Sequence, residues 1–156
     1  MYDLNRFLSA QRRDYAAALR EIRSGRKRSH WIWYIFPQVA GLGMSSTSQF
    51  YAISGLDEAR AYLNEPTLRA HLLEISGALL ALEESDPTAV FGFPDDLKLR
   101  SSMTLFAAAA PDEPVFSAVL DKSVFRRARQ VLRRAARHAH AADPRTVRRH
   151  CHGKPD

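Results

Sequence analysis

The sequence predicts a globular domain built mainly of helices, on three observations. Its 156 residues are 46% hydrophobic and 26% charged, which fits one domain with a single core. Apolar residues recur every three or four positions in several long segments, as on one face of an α-helix. Prolines stand where such segments begin or end. No repeat interrupts this pattern, and no linker is long enough to separate two domains.

The first predicted helix begins at Asp3, whose carboxylate can cap it, and ends at Ser24-Gly25. Four cations surround that end and are favourable at a helix C-terminus: Arg23, Arg26, Lys27 and Arg28. The apolar residues recur at spacings of three, four and seven: Leu4, Phe7, Leu8, Tyr15, Leu19 and Ile22. This pattern predicts an amphipathic helix with one face on the core.

Residues 29–38, SHWIWYIFPQ, are the most specific feature of the chain. They hold both tryptophans, Trp31 and Trp33, between His30 and Gln38. Two tryptophans in three positions indicate rings that are buried or bind something, and the following stretch to Gly43 predicts a turn. The apolar run 31–36 fits a buried strand or a buried helical turn, and its aromatic content favours a strand. We therefore expect a site near this decapeptide.

The later helices are predicted from caps and prolines. Ser54 and Asp57 resemble a capping box for a short helix that runs toward Pro66. From Pro66, apolar residues at spacings of three and four indicate a core-facing helix through about Glu84. The remaining predicted segments are a short piece from Asp86-Pro87, a helix from Pro94 to Ala109, and a last long helix from about Val115 to His140.

Polar residues line one face of the helix that begins at Pro94. Asp95, Lys98 and Ser102 follow at i, i+3 and i+7, with apolar residues beside them. A lysine next to an aspartate suits an anionic group, and the hydroxyls of Ser101 and Ser102 would add hydrogen bonds. An ordinary ion pair on a helix surface is the alternative reading.

Two further patterns have both a functional and a structural interpretation. Gly41 and Gly43 precede four hydroxyl-bearing residues, which form either an anion-binding nest or a turn with a helix cap. The net charge of +6 comes from the C-terminal part, since residues 122–156 carry +9 and residues 1–121 carry −3. One face of the last predicted helix is basic: Arg126, Arg127, Arg129, Arg133, Arg134 and Arg137. That face would meet phosphates or an anionic membrane, or would be a solvated side of a core-packed helix.

Several other chemistries find little support in the sequence. The single cysteine, Cys151, excludes an internal disulfide and fits a reducing compartment. No apolar run approaches the roughly 18 residues of a membrane span, and no signal peptide is apparent, so a cytoplasmic protein is expected. Histidines near Cys151 do not predict a native metal site, no cofactor is implied, and no nucleophile carries an activating motif.

A series of motifs resembles a known family. They are Ala10-Gln11, Tyr15, GRKRSHWIWYIFPQ at 25–38, GLG at 41–43, YAI at 51–53, EARAYL at 58–63, FG at 91–92 and DDLKLRSSMTLF at 95–106. Together they resemble the DUF1810 family of mostly bacterial proteins of unknown function, from Leu4 to about Lys122. Because that family is mainly helical, the resemblance implies an all-α, single multihelical domain, with 31–36 helical or irregular rather than a strand. Beyond Lys122 the chain departs from the family pattern. Residues 123–156 are expected to form a basic helix and tail, part of or appended to the domain 1–122.

The resemblance supplies no reaction, so function is inferred from the residues, and enzyme activity is left open. The leading hypothesis is a pocket for a small anionic ligand such as a nucleotide or an ADP-ribose derivative. A fainter similarity to NADAR-type proteins, which handle ADP-ribose derivatives, points the same way. The predicted acid–base groups are His30 and Asp95, and the predicted ligand-binding residues are Trp31, Trp33, Gln38, Tyr51, Lys98, Ser101 and Ser102. This hypothesis requires the aromatic decapeptide and the Asp95–Ser102 segment to meet in the fold.

Two alternatives come from other classes of protein. The first is nucleic-acid binding through Arg126, Arg127, Arg133, Arg134 and Arg137, with affinity that falls steeply with salt. The second is a non-catalytic protein-interaction module, which would show an exposed apolar patch or a stable oligomer. The oligomeric state is not predicted by the sequence.

Overall fold

The structure, a computed structural model, describes residues 1–122 and 135–137. Over these residues the fold is all-α, which confirms the predicted class, and the extended pairing is limited to one parallel β-bridge between Val39 and Ile53. The chain divides into two compact units, residues 1–123 and 124–156. In the second unit, residues 135–137 are helical and exposed.

The helices of the first unit pack around one core. Their bounds are α1 Asn5–Arg23, α2 Ile32–Ile35, α3 Ser46–Phe50, α4 Leu56–Asn64, α5 Pro66–Ala81, α6 Pro87–Phe91 and α7 Asp95–Ala109. Residues 114–122 are helical as well. α1 contacts α2 and α5, α4 contacts α5 and α7, and α7 also contacts α2 and α6.

Most boundaries set by prolines and glycines agree with the prediction. α1 ends at Arg23, and Gly25 follows with φ of 87°, a left-handed conformation that favours glycine. Pro66 occupies the first turn of α5, where its missing N–H costs no hydrogen bond. Asp86 caps α6 by accepting from the Thr88 N–H at 3.1 Å. These boundaries depend on local sterics, so the sequence predicts them well.

The side-chain caps predicted for α1 and α4 are wrong. Leu4, not Asp3, is at the N-cap of α1 and has no side-chain cap. The Asp3 carboxylate, one residue earlier, accepts from the N–H of Asn5, the first residue of the helix, at 3.1 Å. At α4 the acceptor from the Ser54 N–H is Glu58, at 2.8 Å, rather than Asp57. Glu58 is buried because its carboxylate also pairs with Arg6 at 3.1 Å, a contact between distant parts of the chain.

Helix α5 ends at Ala81, earlier than the predicted Glu84. Lys122 lies at this end, where its ammonium donates to the carbonyl oxygens of Leu79 at 2.9 Å and of Leu82. The last carbonyl groups of a helix have no hydrogen-bond donor within it. A cation at this end donates to them and also interacts favourably with the negative end of the helix dipole. Burial lowers the pKa of Lys122.

The strand expected from the aromatic content of 31–36 is wrong, and the helical reading implied by the family is right. Ile32–Ile35 forms the single-turn helix α2, which contacts both α1 and α7. Ile32, Tyr34, Ile35 and Phe36 are all buried. Neighbouring elements enclose this turn from several sides, so successive residues are apolar. The spacing of apolar residues therefore cannot distinguish a helix from a strand here.

Candidate functional site

Three of the predicted ligand-binding residues line one cavity. Trp33 from α2, Gln38 from the following turn and Tyr51 from the end of α3 surround a volume of about 110 Å³. The loop between them contributes Gly41, Gly43, Ser48 and Gln49. The residues come from separate segments, so the tertiary fold brings them together.

Backbone pairing closes the loop that forms this cavity. The Ile53 N–H donates to the Gln38 carbonyl at 2.8 Å, and the Ala40 N–H donates to the Ile53 carbonyl at 2.7 Å. Within the loop Gly43 lies directly against Ser48, since a Cβ at position 43 would stand 2.4 Å from the Ser48 Cβ. The glycine there allows a close approach that any side chain would prevent.

The hydroxyl-bearing stretch after Gly43 forms a helix cap. The Ser45 hydroxyl accepts from the Ser48 N–H at 3.1 Å and donates to the Ser48 hydroxyl at 2.8 Å, which begins α3. This is the turn-and-cap interpretation of the sequence pattern. The glycines and serines therefore shape the wall of the cavity.

A charged cluster lies at the start of α7. The Asp95 carboxylate accepts from Lys27 at 2.8 Å through one oxygen and from Lys98 at 3.2 Å through the other. Burial raises the pKa of Asp95, but the two ammonium groups, Lys27 foremost, outweigh burial and hold the pKa below its ordinary value. Two cations thus face one carboxylate, and the cluster carries one unmatched positive charge.

The two tryptophans each contact one lysine of this cluster. The Lys98 ammonium lies 5.2 Å from the centroid of the Trp33 ring, and the Lys27 ammonium lies 5.1 Å from that of Trp31. Both distances suit a cation–π interaction. The decapeptide and the Asp95–Ser102 segment therefore meet, as the leading hypothesis requires. Trp33 belongs to both features, because its side chain lines the cavity and faces Lys98.

Trp31 and Trp33 differ sharply in their surroundings. Trp31 is 1% exposed and packs on Phe36 and Phe91, and its indole N–H donates to Glu21 at 3.1 Å. Trp31 is therefore a core residue that has no face free for a ligand. The Trp33 indole nitrogen is buried and finds no hydrogen-bond acceptor among the residues that the structure describes.

The other predicted site residues lie elsewhere. His30 is exposed, and its carbonyl accepts from the Tyr34 hydroxyl at 3.2 Å. Ser101 donates to the Leu97 carbonyl at 3.1 Å and lines a different groove. Ser102 is fully buried, and its hydroxyl has no partner in the described part of the chain. None of the three lines the cavity beside Trp33.

Sequence reasoning overlooked Lys27 and Glu21. Lys27 was grouped with cations at the end of α1, although its side chain is 6% exposed and pairs with Asp95. Glu21 accepts from the Arg28 N–H and from both the N–H and the hydroxyl of Ser29. Burial raises the pKa of Glu21, but the hydrogen bonds together lower it by more, so the pKa of Glu21 lies below its ordinary value. The sequence feature that could have indicated Lys27 is the family-like motif at 25–38, which includes it.

The arginines of the nucleic-acid hypothesis mostly lie outside the described residues. This holds for Arg126, Arg127, Arg133 and Arg134, whereas Arg137 is helical and exposed. The histidine and cysteine positions near the C-terminus also lie outside them. Within residues 1–122 and 135–137, no group of three or more His, Cys, Asp or Glu could hold a metal ion. In the same ranges, no helix is long and apolar enough to cross a membrane.

Comparisons with known proteins agree with this architecture. The model of the family "Protein of unknown function (DUF1810)" matches residues 1–135, which extends past Lys122, where the sequence was expected to depart from the family. The crystal structure of the conserved hypothetical protein Rv1873 from Mycobacterium tuberculosis is 46% identical, with a TM-score of 0.76. The similarity covers 78% of this chain and 86% of that one. No curated protein matches the chain. The fold and the aromatic motif are those of one class of all-α protein. The chain belongs to the DUF1810 family.

Proposed function

We propose that the protein binds a small anionic ligand through Lys98 and the cavity lined by Trp33, Gln38 and Tyr51. One observation carries the proposal: Trp33 lines the cavity and also faces the Lys98 ammonium at 5.2 Å. A ligand with its anionic group on Lys98 would have the indole as its neighbour. Gln38 and Tyr51 offer an amide and a hydroxyl for polar contacts.

The charges within the cluster favour Lys98 as the anion-binding group. Lys27 is 6% exposed and lies 2.8 Å from Asp95, so it neutralises that carboxylate. Lys98 is 24% exposed and lies 3.2 Å from the other carboxylate oxygen, so it carries the unmatched charge. Asp95 would position Lys98 rather than act as an acid, because its depressed pKa keeps it ionised near neutral pH.

The Trp33 indole adds a second reason to expect a ligand here. A buried N–H without an acceptor costs roughly 1–3 kcal/mol, because it has lost water and gained nothing in return. The indole nitrogen of Trp33 is such a donor within the described part of the chain. An oxygen of a bound phosphate or carboxylate would supply the acceptor if a neighbouring group moved aside, because the nitrogen itself is closed to solvent.

The size of the cavity narrows the class of ligand. Its volume of about 110 Å³ is below the roughly 300 Å³ at which pockets begin to enclose drug-sized molecules. Lys98 itself does not line the cavity, so a small group attached to the anion would fit within it while the anion lies on Lys98. A nucleotide or an ADP-ribose derivative would place only one part there and leave the rest outside.

The test is tryptophan fluorescence and thermal shift with inorganic phosphate, acetate, AMP and ADP-ribose. We expect a saturable fluorescence change and a raised melting temperature with at least one of them. Lys98→Gln should weaken binding by about tenfold or more, since hydrogen bonds to charged groups are worth about 1.5–3 kcal/mol. Arg12→Gln, which removes a positive charge from an exposed position on α1, is the matched control.

Trp33→Phe completes the design, because it keeps an aromatic ring and removes the indole N–H. In this variant the fluorescence change should disappear, whereas Trp31 still reports on folding. The proposal is wrong if no ligand of the panel gives a saturable response. Equal loss of binding in Lys98→Gln and Arg12→Gln would also refute it, since the effect would then follow net charge.

A further inference from the structure

A second, larger cavity lies between the loop after α2, the start of α4 and one face of α7. Its volume is about 470 Å³, within the roughly 300–1,000 Å³ typical of ligand pockets. Much of its wall is apolar, formed by Val39, Leu42, Leu56 and Leu105. It shares only Val39 with the cavity beside Trp33.

Two of these apolar side chains are exposed. Leu42 is 57% exposed and Leu56 is 42% exposed. Leucine surface in water is unfavourable at about 25 cal/mol per Å², so covering it would favour binding of an apolar group. An apolar group in the groove would cover both leucines.

The polar wall of the groove restricts the ligand further. α7 contributes Arg100, Ser101 and Thr104. Both hydroxyls already donate within the helix, Ser101 to the Leu97 carbonyl at 3.1 Å and Thr104 to the Arg100 carbonyl at 2.7 Å. Arg100 is exposed, and its guanidinium forms no ion pair within the residues that the structure describes. Among the described residues that line the groove, Arg100 is the only charged one, and its guanidinium has donors without a recorded partner.

From the apolar wall and its single guanidinium we infer that this groove binds an amphiphilic carboxylate. The alkyl or aromatic part of such a molecule would lie on Leu42, Leu56 and Leu105. Its carboxylate would accept two parallel hydrogen bonds from Arg100, a geometry that guanidinium groups favour. This binding is independent of the anion site at Lys98 and would survive the failure of that proposal.

The experiment uses octanoate as the probe and separates its two parts. The full-length protein is titrated with octanoate, octanol and acetate, and amide shifts are followed by two-dimensional NMR. We expect saturable shifts at Leu56 and Thr104 with octanoate. Octanol, which lacks the charge, should bind more weakly by on the order of tenfold. Acetate, which lacks the alkyl chain, should bind more weakly by about a hundredfold or more.

Two variants test the two walls separately. Arg100→Gln should reduce octanoate affinity by about tenfold and leave octanol binding unchanged. Leu56→Asp should reduce both, and it keeps the fold because an acid in the first turn suits a helix N-terminus. Arg12→Gln, on exposed surface of α1, should reduce neither.

Three results would overturn the inference. One is equal affinity for octanoate and octanol, which would leave Arg100 without a role. Another is octanoate binding that survives both Arg100→Gln and Leu56→Asp. The third is a dimer in sedimentation that Leu56→Asp converts to a monomer, since a second copy of the chain would then cover the groove.

Discussion

Two clusters of polar and aromatic side chains in the first unit differ in how completely their hydrogen bonds are satisfied. In the Gln11 cluster, Gln11 is 2% exposed and its amide donates to the Tyr34 carbonyl and the Tyr62 hydroxyl, both at 2.8 Å. Its amide oxygen lies 2.8 Å from the His71 Nδ1. In the cluster around Trp33, the indole nitrogen has no acceptor among the described residues. All the polar groups named in the Gln11 cluster have a partner, whereas the indole next to the cavity keeps a donor without one among the described residues, which is where we propose that a ligand binds.

The Gln11 cluster also determines the state of a histidine. Both N–H groups of the Gln11 amide are used on acceptors, so its oxygen must accept and His71 must carry a proton on Nδ1. Burial lowers the pKa of His71, which favours the neutral ring. That ring stacks on Tyr15 with centroids 3.7 Å apart. His71 is therefore orientated by its surroundings as part of the core between α1 and α5.

The largest expected effect comes from breaking the satisfied cluster. Gln11→Met retains the length of the side chain but leaves the Tyr34 carbonyl and the His71 N–H without their partner. We expect the free energy of unfolding to fall by about 2–4 kcal/mol, because several buried polar groups lose hydrogen bonds together. Urea denaturation measures the change. Gln49→Met, at an exposed position of α3, is the control, and equal losses would refute a structural role for the cluster.

A somewhat smaller effect is expected at Glu21, which supports the turn before Trp31. Glu21→Gln should lower the free energy of unfolding by about 1–3 kcal/mol, since an amide cannot accept all the donors that face the carboxylate. The folded-state pKa is depressed below the ordinary 4.5, so this stabilisation is fully present above that pH. It is lost as pH falls through the lower, folded-state pKa. Denaturation between pH 7 and pH 3 should therefore show less acid sensitivity in Glu21→Gln than in the parent.

The cation proposed to bind a ligand should contribute little to stability. Lys98→Gln should change the free energy of unfolding by less than about 1 kcal/mol, because Lys98 is partly exposed and Asp95 keeps Lys27. Lys27→Gln should cost more, since it removes the buried partner of that carboxylate. Thermal and urea denaturation compare the two. A larger loss for Lys98→Gln would show that Lys98 is structural.

The smallest change is expected at another buried group without a partner, Ser102. Ser102→Ala removes a fully buried hydroxyl that has no partner in the described residues, so stability should stay level or rise by up to about 1 kcal/mol. Ser45→Ala provides the contrast, because it removes the acceptor of the Ser48 N–H and should cost about 1 kcal/mol. A clear loss in Ser102→Ala, measured by urea denaturation, would mean that its hydroxyl is bonded after all.

Local rules predicted the helices well and their side-chain caps poorly. The boundaries at Gly25, Pro66 and Pro94 follow from conformations that these residues permit or prevent, so neighbours in sequence suffice. The capping box predicted from Ser54 and Asp57 does not form. Glu58 accepts from the Ser54 N–H instead, and its carboxylate also pairs with Arg6. A sequence pattern that spans four residues cannot predict this, because Arg6 lies far from Glu58 in the chain.

The candidate site was predicted in part. Trp33, Gln38 and Tyr51 were selected as residues without an obvious folding duty, and they line one cavity. Lys27 was not selected, because its partner Asp95 lies far along the chain and no spacing rule connects them. The binding roles of Trp33 and its neighbours remain predictions.

The sequence by itself determined an all-α protein and the approximate extent of its helices, and it singled out the segment in which we propose a site. Those properties follow from periodicity, from the backbone limits of glycine and proline, and from the family motifs. Only the tertiary structure decided which tryptophan serves the core and which faces a cavity. Residues two apart on a helical turn point in different directions, and the elements packed on each side decide what they meet. Trp31 contacts Glu21 and Phe91, whereas Trp33 contacts Lys98 and lines the cavity.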